Sequence, residues 1–202
     1  MDKKIINHFK KHDPLPYEAA SKLNKDLKSI ALQKKSQEKY FLELCDIIVG
    51  QQLSGAAADT IFARFKKLYT KEFGPKQVLL TDHERLRSAG LSNSKAKYLK
   101  NLSSHIIENK LILKELDLLS DDEIKIKLTA VKGIGPWTAE MFLMFTLGRP
   151  DIFSHGDLGL KKGIKKIYGF KKDPSQKTIN RIVSKWSPYK TYASLILWRC
   201  LE

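Results

Sequence analysis

The 202-residue sequence predicts an all-α protein, and three observations carry that reading. Apolar residues recur at helical intervals along most of the chain, capping residues stand before several of these runs, and no convincing run alternates apolar with polar residues as a half-buried strand would.

The elements follow in order. After a polar lead-in, Tyr40, Phe41, Leu44, Ile47 and Ile48 share one helical face. Gly50-Gln51-Gln52-Leu53 interrupts the pattern, and Ser54 is the expected N-cap of an Ala-rich helix carrying Ala57, Ile61, Phe65 and Leu68. Thr81-Asp82-His83-Glu84 and Ser120-Asp121-Asp122-Glu123 both have capping-box spacing and mark two more helix starts. Between them, Ala96, Leu99, Leu102, Ile106 and Ile107 describe an amphipathic helix. A further helix ends near Val131, Gly133-Ile134-Gly135 makes a tight turn, and Pro136 opens a helix through Met141, Phe142 and Phe145. Asp157 precedes a helix carrying Leu160, Ile164 and Ile167. Asp173-Pro174 and Ser187-Pro188 each read as a cap followed by a first-turn proline, the second opening a last helix, Pro188 to Leu201, with Tyr192, Leu195, Ile196 and Trp198. The sum is roughly ten short helices without internal repeat or long linker.

Composition narrows the function. A hydrophobic fraction of 42% with 9% aromatics supports a real core and excludes disorder. Cys45 and Cys200 are too few for a disulfide framework, an all-cysteine zinc site or a four-thiolate cluster, and His8, His12, His83, His105 and His155 lack zinc-type spacing. No apolar run reaches the length of a membrane span, and the N-terminus lacks the pattern of a signal peptide, so an intracellular protein with no membrane partner is expected. Lys and Arg total 37 against 22 acids, a formal charge of +15. Seven lysines lie between Lys161 and Lys177 against the single acid Asp173, and others cluster at Lys3, Lys4, Lys10 and Lys11 and at Lys95, Lys97 and Lys100. Such clusters suit a polyanion, above all nucleic acid; solvated faces that serve solubility are the alternative.

The chemistry concentrates in two stretches. Gly133 and Gly135, set between helices, can bring backbone amides close to a phosphate, although Gly-x-Gly alone also describes an ordinary helix corner. A dinucleotide fingerprint does not fit, since Thr138 stands at the third glycine position and no strand precedes the turn. Downstream, Asp157 sits between Gly156 and Gly159 just before its helix, where a plain N-cap is the alternative to a catalytic carboxylate.

Together these motifs resemble the helix-hairpin-helix DNA glycosylase superfamily. The Pro136-Trp137-Thr138-Ala139 and Gly156-Asp157-Leu158-Gly159 variants are similar to its 3-methyladenine DNA glycosylase II branch. So are the run from Ile48 to Ala58 and the run from Trp186 to Arg199, and the likeness spans about Tyr40 to the C-terminus. The resemblance implies a two-lobed helical fold with a central cleft and, with only about 35 residues ahead of the match, no N-terminal α/β domain. The expected lobes are about 40–160, with the hairpin at 131–137, and about 1–39 plus 161–202.

It further implies a monofunctional enzyme of base-excision DNA repair that flips alkylated purines, such as 3-methyladenine, from double-stranded DNA and hydrolyses the N-glycosidic bond. Asp157 would stabilise the oxocarbenium-like sugar. Trp137 stands where lyase relatives carry a nucleophilic lysine, and tryptophan cannot form a Schiff base. Trp137 and Trp198 match aromatic positions of the base pocket, with Met141 and Leu158 where relatives can carry tyrosines; core packing is the alternative for an isolated tryptophan. Gln51, Gln52 and Leu53 form the expected wedge loop, with Gln52 at the wedge position and Leu53 the more apolar neighbour. Lys132, Gly133, Gly135, Lys161 and Lys162 are the remaining DNA contacts. No cofactor is required, but the backbone carbonyls of Thr129, Val131 and Ile134 match a structural Na or K site. The protein is expected to act as a monomer, in cytoplasm or nucleoid, or in a nucleus. A non-catalytic DNA-damage-binding module is the rival reading, and Asp157 is what such a module would have no need of.

Overall fold

Side-chain caps set where many of the helices begin. In the computed structural model, which describes residues 1–22, 30–69 and 73–201, twelve α-helices and no strand occur among those residues. They divide into two compact units, Lys35–Leu147 and the discontinuous Met1–Lys34 with Gly148–Glu202.

The inserted unit holds seven α-helices, numbered by their place in the whole chain as α3 (Tyr40–Gly50), α4 (Gly55–Lys67), α5 (Pro75–Leu80), α6 (His83–Ser88), α7 (Asn93–Ile107), α8 (Asp121–Thr129) and α9 (Pro136–Met141), the last running into a π-helical segment at Phe142–Thr146. Tyr40, Leu44, Ile48, Phe65, Leu99, Leu102, Leu128 and Phe142 are wholly buried. The spacing in α3 and α7 therefore names their inward faces, whereas Ile107 turns out to be 44% exposed at the end of α7. In α4 the inward face is Phe62 and Phe65. Tyr40 donates its hydroxyl to Asp117 at 2.6 Å, which satisfies the one polar atom of a buried ring.

The discontinuous unit holds α1 (Lys3–His12), α2 (Pro14–Lys22), α10 (Leu158–Ile167), α11 (Gln176–Ser184) and α12 (Lys190–Arg199). Its core joins Ile5 and Phe9 of α1 to Phe153, Leu160, Ile164, Ile179, Trp186 and Leu197. At the junction of α1 and α2, buried Asp13 accepts the Trp186 indole N–H at 3.1 Å and the Tyr168 hydroxyl. Burial and this carboxylate push the Tyr168 phenol well above its usual range. Residues 148–160, expected with the central lobe, fall in this unit because Ile152, Phe153 and Leu160 are buried there and Ile152 N–H donates to Thr191 at 3.0 Å.

Three helix starts differ from those expected. At α6 the cap is Asp82, whose carboxylate accepts from Glu84 and Arg85, while the Thr81 hydroxyl donates back to Gln77. At α11 the cap is Ser175, because Asp173 is drawn into an ion pair with Lys165 at 2.7 Å. The last helix begins at Lys190, after a cis Ser187–Pro188 bond, and Asp151 takes the Lys190 N–H at 3.2 Å and the Ser187 hydroxyl at 2.7 Å. Ser120 and Glu123 form the expected reciprocal box at α8.

Candidate functional site

The hairpin belongs to the inserted unit. After α8 ends, Val131 N–H donates to Leu128 at 3.1 Å and Ile134 N–H to Val131 at 3.0 Å, and both apolar side chains are buried. Gly133 lies at φ +108, and a Cβ there would run into the ring of Tyr98, so conformation and space both demand glycine. Gly135 is the N-cap of α9, with Pro136 in the first turn. Asn101 donates its amide to the Lys132 carbonyl at 3.0 Å, and Gln51 donates to the Gly133 carbonyl at 3.0 Å. In a trans peptide the N–H points away from the preceding carbonyl, so tying these two carbonyls fixes the amides of Gly133 and Ile134. Lys132 is exposed, Trp137 is half-buried and Met141 is only 5% exposed. Thr129 is the last residue of α8, Val131 and Ile134 lie in the turn beyond it, and the Val131 carbonyl accepts the Ile134 N–H.

Gly50 to Leu53 forms a turn closed by the Leu53 N–H to Gly50 carbonyl bond at 3.1 Å. Gln51 has φ −50 and ψ 128 and Gln52 has φ 58, which places Gln52 at the third position of a type II turn, where glycine is preferred. Gln52 is exposed and Leu53 is 39% exposed, but half-buried Gln51 is engaged with Gly133 and with the Thr138 hydroxyl at 2.9 Å. Lys95 donates its ammonium to the Val49 carbonyl at 2.8 Å, and burial holds its pKa below the ordinary lysine range. Tyr98, Asn101 and Lys95 were not picked out by the motif reading. All three lie on α7, far from the hairpin in sequence, and only Lys95 carried a signal, as one of a lysine cluster.

Asp157 belongs to the discontinuous unit. It is the N-cap of α10, its Oδ1 accepting the Leu160 N–H at 2.8 Å and the Trp198 indole N–H at 3.1 Å. A Cβ at Gly159 would stand 3.0 Å from Asp157 Oδ1 and 3.1 Å from the Trp198 ring, so the absence of a side chain there lets acid and indole meet. Leu158, next to the cap, is 70% exposed. His155 hydrogen-bonds Gln176 at 2.9 Å; partial burial, then the charges of Lys161 and Lys190, hold its pKa below the usual histidine value. Asp151 is engaged with Ser187 and Lys190 in the start of α12, a structural duty.

The lysine run is not uniform. Lys162 is exposed and Lys161 half-exposed, but Lys165 pairs with Asp173 and Lys166 donates to the Cys200 carbonyl at 2.6 Å, finishing α12. No helix among the described residues is long and apolar enough to cross a membrane, and they contain no group of three metal-ligating side chains.

Residues 45–188 match the family model described as HhH-GPD superfamily base excision DNA repair protein. YfjP of Bacillus subtilis is 36% identical over 162 residues, covering 77% of this chain but only 56% of its own length. DNA-3-methyladenine glycosylase 1 of Schizosaccharomyces pombe is 33% identical over 170 residues, 82% of this chain and 75% of its own. The solved structure of the Schizosaccharomyces pombe 3-methyladenine DNA glycosylase Mag1, in complex with abasic DNA, superposes with a TM-score of 0.86 at 28% identity, over 98% of this chain and 96% of that one.

Proposed function

Since the chain belongs to the HhH-GPD superfamily of base excision DNA repair proteins, we propose that it is a monofunctional DNA glycosylase of the 3-methyladenine type, releasing alkylated purines from double-stranded DNA as a monomer. The observation that carries this reading is Asp157, a carboxylate fixed through one oxygen by Leu160 and Trp198.

Cleavage of an N-glycosidic bond builds positive charge on the sugar, and a carboxylate already oriented beside it stabilises that charge without reorganising. The two N–H donors hold the Asp157 side chain in one rotamer, and the positive end of α10 favours negative charge at its cap. A base alkylated on its ring is cationic and leaves readily, so the burden falls on the carboxylate rather than on a strong general acid. Water completes the hydrolysis. An electron-rich indole favours a cationic base by about 1 kcal/mol or more when desolvated, and Trp137 of the inserted unit and Trp198 of the discontinuous unit are each a candidate for that role. Met141 is buried in the inserted unit, and exposed Leu158 directly follows the acid in sequence.

Extrusion of the base comes first and costs about a few kcal/mol. The Gly133 and Gly135 amides with Lys132 hold the phosphates, Lys161 and Lys162 add charge, and Gln52 with Leu53 fills the vacated stack. A Na or K ion on the carbonyls of Thr129, Val131 and Ile134 would add positive charge beside the phosphate; no other cofactor is invoked. Trp137 in place of a lysine supports simple hydrolysis over strand cleavage.

The test is incubation with methylated duplex DNA and identification of the released bases. Release of 3-methyladenine with the strand left intact is expected; binding without release of any base would favour the non-catalytic module.

A further inference from the structure

The wedge turn and the phosphate-gripping hairpin come from distant parts of the sequence, yet one side chain ties them. Gln51 spends its amide on the Gly133 carbonyl at 3.0 Å, in the hairpin turn, and on the Thr138 hydroxyl at 2.9 Å, in the first turn of α9. Thr138 is 2% exposed, so this amide reaches into the base of the hairpin and does not reach out toward a ligand. On the other side of the turn, Lys95 holds the Val49 carbonyl at 2.8 Å. Between these anchors Gln52 is kept at φ 58, a left-handed conformation that glycine would adopt without cost. A glutamine at such a position, where glycine would be less strained, points to a need for its side chain, and the anchors on either side hold the turn that presents it.

We propose that Gln51 is a positioning residue for base extrusion: it makes the turn and the hairpin one rigid piece, so that seating the hairpin on the phosphates sets where Gln52 enters the stack. Gln51 itself does not touch the DNA. This rests on the reading of the protein as a base-flipping glycosylase. Its consequence is a separation of steps. Loss of the Gln51 bonds leaves the Gly133 amide, held through the Asn101 bond to the Lys132 carbonyl, and the Asp157 carboxylate in place but lets the turn move against the hairpin. Entry into a paired stack then slows, while hydrolysis of a base that is already unpaired does not.

The experiment compares wild type with Gln51→Glu and Gln51→Met. The first keeps the shape but replaces the N–H donors by an oxygen facing the Gly133 carbonyl; the second keeps the length and removes all hydrogen bonding. Single-turnover excision of one alkylated purine is measured in a fully paired duplex and in the same duplex with the lesion in a small unpaired bulge. Extrusion is read independently from the fluorescence of 2-aminopurine placed beside the lesion, and folding from thermal melting. With one or two partly buried hydrogen bonds lost, the paired-duplex rate and the 2-aminopurine signal should fall about tenfold or more, and the bulge rate by less than about threefold. Adding Thr138→Val to Gln51→Met should cost little more than Gln51→Met alone, since the two groups act through one bond. An equal fall on both substrates would mean a general structural role, and an unchanged paired rate in a folded variant would mean none; either overturns the proposal. If wild type releases no base from either substrate, the glycosylase reading fails, and the 2-aminopurine signal still reports whether Gln51 governs extrusion.

Discussion

Trp198 donates its indole N–H to the same Asp157 oxygen that caps α10, so one carboxylate oxygen joins the end of α12 to the start of α10. Helix capping and the placement of the carboxylate proposed as catalytic thus use one arrangement, and the two readings of Asp157 are compatible.

Asp157→Asn separates charge from shape. An asparagine still caps a helix, so melting should change little, and binding to abasic-site duplex should persist. Excision should fall by about a thousandfold, in line with several kcal/mol of lost electrostatic stabilisation. Asp151→Asn is the matched control: its partner Lys190 is half-buried, so it should lose about 1 kcal/mol of stability but keep most of its activity. A folded Asp157→Asn enzyme working at near wild-type single-turnover rate would leave Asp157 as a cap alone.

Gly133→Ala should destabilise rather than merely weaken DNA binding. A left-handed alanine costs about 1–2 kcal/mol, and the collision with Tyr98 adds to it, for about 3 kcal/mol in all. Calorimetry should show a melting temperature about 6–12 °C lower.

Salt titration of DNA binding distinguishes lysines that look alike in sequence. Each phosphate contact contributes about −0.9 to the log–log slope, so Lys162→Ala should reduce the slope by roughly one contact. Lys166→Ala should leave the slope nearly unchanged and lower stability instead, since its ammonium is committed to the Cys200 carbonyl. Equal slope changes for both would contradict this division.

Borohydride added during turnover should trap no covalent protein–DNA adduct, because tryptophan stands at position 137. A trapped adduct mapped by mass spectrometry to any lysine would replace the hydrolytic mechanism with a lyase one.

The His155 imidazole has a folded pKa below its unfolded value of 6.5, so the folded state binds fewer protons. Its contribution to stability is complete above that unfolded value and is lost as pH falls through the folded one. Melting at pH 7.5 and pH 5 should therefore show a smaller acid loss for His155→Gln than for wild type.

Elements with repetitive burial were legible in the sequence: α3, α7 and α10 present the faces their apolar spacing names, and the Ser120–Glu123 box sits where its spacing puts it. Local signals failed where a distant charge competed for the cap. Asp173 has cap-like context but finds Lys165 instead, and Asp151, far from α12 in sequence, organises its start. The hairpin could be read because Gly133 at positive φ, Gly135 at the cap and the helix-opening Pro136 leave a mark on sequence. Its supports could not: Tyr98 and Asn101 meet it only through tertiary contact, and an ordinary helical sequence surrounds each.

The Asp13 network bears on how the chain is made. Asp13 finds its acceptor role only with Tyr168 and Trp186, 155 and 173 residues later. During vectorial synthesis the inserted unit is fully extruded while α1 still waits with an unshielded acid and with Ile5 and Phe9 in water. Connectivity thereby completes the hairpin-bearing unit first in synthesis, whereas the core of the unit carrying Asp157 is complete only once the last helices emerge.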